Sequence, residues 1–404
     1  MKRKYDMLSN KKLGKAVLNE GGNVTVGGHS AEKIDLTQLS PEEYESFKID
    51  ILKMLIEINT IIEKKTNHPL FKNINTLKNG GYFSGSSEQF FLHSREEFIP
   101  YKTIMGDVDV QVSDKLKMEL KEILPTLYGK KINGFTFVGT RFGGDYNSLF
   151  IPPPKYIKAS KCVQFDLEFV SMGDTGDLTE FDKFNKNSPY VDLKKGLKGL
   201  IKGHFLSSLY STKYELEGVI FQDKKDVVSK SKNLGTISKY SYGNKGVRRK
   251  YVPVLDDKGE QMEHDGLPAY RIVKKIEAGD TVTDLKKIFE QIFEAEYDSK
   301  NAELFQSYIG LLQLVKKYWS KDLIDKLYEK WSGQLVKLSN DLGEKGFDAA
   351  MGAFHAVFND TELVLFKDLG LDTQNERMKS NITFGSYITE HTKYYENKMR
   401  NNWE

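Results

Sequence analysis

Cysteine is almost missing from this chain: Cys162 is the only one in 404 residues. One thiol excludes a disulfide scaffold and a cysteine-based zinc site. Histidine is sparse too, with 7 residues scattered at no ligand spacing. Long apolar runs are also lacking, and none approaches the ~18–20 residues of a membrane span. The basic start, residues 1–14, has no apolar stretch behind it, so a secretory signal is not expected. The expectation is a cytoplasmic protein of a reducing compartment, with no membrane partner.

Aromatic residues are plentiful. With 24 Phe, 21 Tyr and 3 Trp the chain carries far more apolar surface than a disordered one. Net charge is small at +3, but it is unevenly spread. Residues 224–251 hold nine Lys or Arg against one Asp, a local excess of +8, so the remainder of the chain carries −5. Such asymmetry suits contact with phosphates. Within this stretch Lys239, Tyr242, Lys245, Arg248, Arg249 and Lys250 interleave cations with aromatic rings. That mixture fits single-stranded nucleic acid, through phosphate contact and base stacking, and equally a solvated loop.

Periodicity sets the elements. Gly21, Gly22, Gly27 and Gly28 bracket Asn-Val-Thr-Val as in a hairpin. Ser40-Pro41-Glu42-Glu43 is a helix start, and Phe47, Ile51, Met54, Leu55, Ile58, Ile61 and Ile62 continue it at helical spacing to about Lys65. Strands are expected at Val108–Val112, Thr136–Thr140, Asn147–Ile151 and Val163–Val170, where apolar and polar residues alternate. Leu116–Leu127 and Val191–Tyr210 read as helices. Residues 213–280 are β-like, and beyond Thr281 the pattern is helical, with the last helices near 345–357 and 386–403.

Three short pieces carry chemistry. Ser84-Gly85-Ser86-Ser87 is a turn opening a helix, which offers backbone N–H groups and hydroxyls to a phosphate. Asp107 and Asp109 are one residue apart on a strand, so both carboxylates share a face, ~6.5–7 Å apart along the chain. Asp166 and Glu168 do the same on a later strand. Paired carboxylates repel, and hard divalent cations relieve the repulsion. Three carboxylates can hold two Mg²⁺ ions ~3.5–4 Å apart, the clamp used for phosphoryl displacement. Asp166 and Glu168 compete for the third place. Arg141, before Phe142-Gly143-Gly144-Asp145, reads as the approach to a hairpin turn rather than a phosphate ligand.

In this order, Gly-Ser, then Asp-Val-Asp, then Phe-Asp-Leu, the chain resembles the DNA polymerase β-like nucleotidyltransferase superfamily over about residues 80–210. It also resembles nucleotidyltransferase-like proteins of tailed bacteriophages, which would place it in a host cytoplasm. The resemblance implies an α+β fold: a small mixed-sheet nucleotidyltransferase core at 80–212, after a lead-in with a long helix at 1–79. A basic β-rich insertion at 213–280 and a helical C-terminal domain at 281–404 follow. It implies that Gly85 and Ser86, with Ser87 beside them, hold the triphosphate, that Asp107 and Asp109 bind Mg²⁺ or Mn²⁺, and that Asp166 completes the site and helps activate the acceptor hydroxyl. Residues 87–106 make a longer spacer than many members have, so Leu92–Thr103 is expected to be an insertion. A basic residue commonly follows Gly-Ser, whereas Ser87-Glu88-Gln89 stands here, so the cations must come from elsewhere. Lys194, Lys198 and Lys202, at i, i+4 and i+8, read as a solvated helix face or as that source, with Lys198 and Lys202 the candidates. The expected reaction is transfer of an NMP from an NTP to a hydroxyl, best an RNA 3′ end of tRNA type. The alternatives left open are transfer to a protein or small molecule, and an inactive nucleic-acid-binding or virion-assembly protein on the same fold.

Overall fold

The computed structural model describes residues 25–358, apart from 27–28, 144–145, 158–161, 173–175, 177, 188, 198, 225–226, 230–232, 244 and 274–279. The helix expected near 386–403 lies outside the described residues. The chain is mixed α and β with several small sheets. It divides into two compact units, Met1–Lys195 and Gly196–Glu404.

In the first unit, α1 (Pro41–Thr66) begins with the capping box its sequence announces. Ser40 Oγ accepts from the Glu43 N–H at 3.2 Å, and Glu43 answers by accepting from the Ser40 N–H at 2.8 Å. Its apolar stripe, Phe47, Ile51, Met54, Leu55, Ile58 and Ile62, is fully buried. A shorter helix, α2 (Gly85–Leu92), precedes the sheet. The sheet has four strands: β1 (Asp107–Ser113), β2 (Gly139–Phe142), β3 (Tyr146–Ile151) and β4 (Val163–Val170), in the order β1-β4-β3-β2. β4 runs parallel to β1 and antiparallel to β3. Val108, Val110 and Val112 of β1 and Phe165 and Leu167 of β4 share one core with the α1 stripe. Alternation along each strand therefore leaves Asp107, Asp109, Asp166 and Glu168 on the other face. The stretch expected as one helix is a 3₁₀ turn at Asp114–Leu116, then α3 (Lys117–Ile123), then a second 3₁₀ turn at Leu124–Leu127. Near the start of the chain Thr25–Val26 and His29–Ser30 pair as the glycines foretell.

The expected helix Val191–Tyr210 is corrected to two pieces. A turn of helix at Tyr190–Leu193 ends the first unit, and α4 (Gly199–Lys213) opens the second. Gly196 breaks the run with φ +72°, a left-handed conformation that a side chain resists.

The second unit continues with β5 (Glu215–Ile220), β6 (Asn233–Ser238), β7 (Tyr240–Gly243), β8 (Gly246–Arg249), β9 (Tyr251–Pro253), β10 (Leu267–Ile272) and β11 (Thr281–Val282). They form one sheet in the order β6-β5-β10-β9 and another in the order β7-β8-β11. Helices follow: α5 (Leu285–Phe293), α6 (Ser299–Phe305), α7 (Tyr308–Tyr318), α8 (Lys321–Lys337) and α9 (Ser339–Val357). Four of them start on a side-chain cap, Asp284, Asp298, Ser307 and Ser320 in turn. Their core is aromatic. Trp331 is fully buried and donates from Nε1 to the Tyr308 hydroxyl at 2.9 Å, while Phe205 of α4 packs edge-on against both rings. Among the described residues no helix is long and apolar enough to cross a membrane.

Candidate metal and phosphate site

The parallel pairing of β1 and β4 places Asp166 directly beside Asp109. Asp107 lies two residues earlier on the same face. One carboxylate oxygen from each of the three falls within 4.8 Å of one from each of the others. All three are half-buried. Of the two acidic residues on β4, Asp166 lies in the cluster with Asp107 and Asp109, whereas Glu168 is paired elsewhere. It accepts from Ser84 Oγ at 3.0 Å and from Lys186 Nζ at 3.2 Å. Asp166 is held instead by the Gln164 amide, whose Nε2 donates to its two oxygens at 3.1 and 2.9 Å.

These carboxylates sit well away from their ordinary acidity. Burial raises Asp107, with Lys102 as the main counterweight and Glu168 adding repulsion. Burial raises Asp109 furthest, reinforced by the negative charges of Asp107, Glu168 and Asp166. Burial pushes Asp166 up to about 6, against the Ser148 hydroxyl and the Gln164 amide that hold it down. A divalent cation removes this conflict by supplying the charge that the protein withholds. The donors are all carboxylate oxygens, which suits Mg²⁺ or Mn²⁺. Two further polar groups lack partners here. Gln111, in register with Glu168, is fully buried with neither side-chain atom hydrogen-bonded, and Gln164 Oε1 is likewise unpartnered.

The Gly-Ser turn is stitched to the strand that carries the aspartates. Gly85 has φ +56°, so the turn needs a glycine there. The Ser84 N–H donates to the Asp109 carbonyl at 3.2 Å. The Asp109 N–H donates in turn to Ser87 Oγ at 2.9 Å, and Ser87 is fully buried. Ser87 thus braces the site, while Gly85 and Ser86 stay half-buried at the helix start. A cation from the spacer does reach the Gly-Ser turn. Lys102 Nζ donates to Ser86 Oγ and also holds Asp107 down electrostatically, and Lys33 adds to that effect.

Lys194 and Lys202 do not share one helix face. Lys194 lies in the turn before Gly196, its ammonium over the Tyr190 ring at 4.5 Å and the Tyr101 ring at 5.6 Å. Lys198 lies outside the described residues. Lys202 belongs to the second unit, where it is buried with Nζ donating to the Gln306 carbonyl at 3.2 Å. The reason is the break at Gly196, which ends the helical phase that the spacing presumed.

The basic segment forms strands rather than a free loop. Lys239 is half-buried between β6 and β7, and Lys245 is exposed in the turn that enters β8. Arg248 and Arg249 are exposed and successive on β8, so they point to opposite faces. Arg248 Nε donates to Ser241 Oγ at 3.4 Å, and Arg249 lies 5.9 Å from the Tyr240 ring centroid. Lys250 lies exposed, 5.3 Å from the Tyr251 ring centroid. Tyr242 stacks on Tyr210 at 6.4 Å with 16° between the planes, and burial raises its hydroxyl pKa. Its ring is therefore part of the unit's own packing. Arg249 and Arg271 line a cleft of about 430 Å³ whose floor is Val252, Pro253, Val254 and Leu255.

Reading the sequence alone missed Lys102 beside the Gly-Ser turn and the bracing contact of Ser87, whereas the hairpin expected after Arg141 is present and its register puts Arg141 on the carboxylate face. The signal for Lys102 was the absence of a cation after Gly-Ser, which required one from another segment. Comparison with protein families, with curated proteins and with solved structures returns no match for this chain.

Proposed function

We propose that the first unit is a metal-dependent nucleotidyltransferase that moves an NMP from an NTP to a hydroxyl acceptor and releases pyrophosphate. The observation that carries this reading is the convergence of Asp107, Asp109 and Asp166 within 4.8 Å, beside the start of α2. Asp107, Asp109 and Asp166 would hold the divalent ions, and when bound these supply charge stabilisation to the phosphorus under attack. The residues of the chain do the rest. The helix start at Gly85 and Ser86 presents N–H groups and a hydroxyl to the triphosphate, and Lys102 neutralises part of its charge. Ser87 and Ser84 fix the helix to β1, which keeps phosphate and carboxylates at one spacing. Asp166, on the strand next to β1, would help activate the acceptor hydroxyl. RNA is the favoured acceptor. The exposed cations Lys245, Arg248, Arg249 and Lys250, and the cleft lined by Arg249 and Arg271 over an apolar floor, support it.

The test is a melting series with Mg²⁺, with NTP, and with both. Shared ions make the pair stabilise more than the sum of each alone. An unshifted midpoint at millimolar metal and NTP would count against the reading. Release of pyrophosphate from each NTP in turn, with total RNA as acceptor, identifies the donor.

A further inference from the structure

The carboxylate face extends beyond the aspartates. Asp109 is in register with Asp166, Asp166 with Ser148 of β3, and Ser148 with Arg141 of β2. Residues paired laterally in a sheet point to the same side. The row Asp109–Asp166–Ser148–Arg141 therefore crosses all four strands on one face. Strands lie ~4.8 Å apart, so the Arg141 backbone is ~10 Å from that of Asp166. An extended arginine and a bound phosphate fill that span together.

Besides the Gln111 amide, Arg141 Nη1 and Gln164 Oε1 are buried on this face without a hydrogen-bond partner. Gln164 itself is 2% exposed, and its amide nitrogen is committed to Asp166. A buried donor or acceptor left alone is costly, so such groups mark a place where a ligand supplies the partner. The unmet needs differ in kind. The guanidinium calls for an anion, best a phosphate or carboxylate that takes its fork. The Gln164 carbonyl calls for a donor such as a hydroxyl. A chain-end nucleotide carries both.

Position decides which substrate this is. The start of α2 and Lys102 lie at the β1 side of the aspartates, whereas Arg141 lies at the far side, beyond Asp166. In-line displacement places leaving and attacking oxygens on opposite sides of the phosphorus. We propose that Arg141 grips the phosphate next to the acceptor's attacking hydroxyl, which makes the acceptor a nucleotide chain end rather than a protein or a neutral small molecule. The inference rests on the nucleotidyl-transfer reading. The acceptor oxygen bonds to the α-phosphorus as the bond to pyrophosphate breaks. The acceptor's proton leaves to a carboxylate or water, and Arg141 stays charged throughout.

The experiment uses the full chain with Mg²⁺ and a non-hydrolysable NTP analogue, and reads binding of a short 5′-labelled oligoribonucleotide with a free 3′-hydroxyl. Arg141→Gln should weaken that binding about ten- to a hundredfold, the range for a lost charged hydrogen bond. Arg141→Lys should recover part of it, and affinity for the NTP analogue should not change. The ligand-free melting midpoint of Arg141→Gln should not fall, since Nη1 loses no internal partner. Equal oligonucleotide affinity in wild type and Arg141→Gln overturns the assignment, as does a matching fall in NTP affinity. A drop in melting midpoint for both variants makes Arg141 structural and overturns it too. Transfer to a protein or nucleoside but not to the oligonucleotide does the same, while leaving nucleotidyl transfer standing. Wild type that binds neither NTP analogue nor oligonucleotide overturns both readings.

Discussion

Two polar regions of this protein are built in opposite ways. On the sheet of the first unit, carboxylates are gathered on adjacent strands and half-buried, with Lys102 only partly offsetting their burial and mutual repulsion. On β7 and β8 of the second unit, cations stand in solvent or lie against the chain's own tyrosines. The first arrangement raises the energy of the empty protein and so has no purpose in stability alone. The second costs little and yields long-range attraction that salt screens. Unfavourable burial, more than the density of charge, is what makes the carboxylate face the candidate site.

The largest effect expected from breaking this contrast comes from Asp109→Asn. On the proposed function it removes a metal ligand and should lower transfer by at least about a thousandfold, several kcal/mol of lost charge stabilisation. The ligand-free protein should melt at the same temperature or higher, because a repelling buried carboxylate has gone. Asp107→Asn should behave alike. Pyrophosphate release together with a melting scan reads both, and turnover retained in either variant would remove the metal assignment.

The pH dependence comes next. The folded-state pKa of Asp166 lies above its ordinary 3.8, at about 6, so the folded protein holds this proton more tightly than the unfolded chain does. Its stabilising contribution is then complete below about pH 4 and is lost as pH rises through about 6, on the order of 3 kcal/mol in the absence of metal. The stability of wild type relative to Asp166→Asn should fall across that window and level off above it. Mg²⁺ should flatten the curve. Chemical denaturation at a series of pH values checks this, and parallel curves for the two proteins would refute it.

Ser87→Ala gives a smaller effect. It strands the Asp109 N–H and should cost about 1–3 kcal/mol of stability while loosening the triphosphate site. Urea unfolding and the NTP-dependent melting shift measure the two parts.

The smallest effects belong to the exposed region. Neutralising Arg248, Arg249 and Lys250 together should weaken RNA binding and flatten its salt dependence by roughly 0.7 log–log units per lost phosphate contact. Since Arg248 and Arg249 face opposite sides of β8, the single variants should be unequal. Equal losses would show that the strand is read from both faces. An unchanged slope in the triple variant would return the segment to a solvated surface.

Much of the local structure was legible in the sequence. Period-two alternation marks Val108–Val112 and Val163–Val170, and Ser40-Pro41-Glu42-Glu43 marks the start of α1, because these signals depend on neighbours along the chain. The three aspartates were legible as types on strands, but their convergence was not, since the register of β1 with β4 is a long-range fact. The hairpin expected after Arg141 is present, but nothing local shows that its register with β3 places Arg141 on the carboxylate face. The helical spacing of Lys194 to Lys202 is broken because one glycine, Gly196, ends the run between them. Tyr242 looked free for base stacking because its partner Tyr210 is distant in sequence.

The pairing of β1 with β4 also has a kinetic side. Residues 114–162, with α3 and the β2–β3 hairpin, must be looped out before Asp166 meets Asp109. Closing a loop of that length carries an entropic barrier that local contacts do not repay, and parallel strands of this kind form slowly. A nascent chain therefore cannot bring Asp166 beside Asp109 until β4 has emerged and docked, so the three-carboxylate cluster is among the later features of this unit to form.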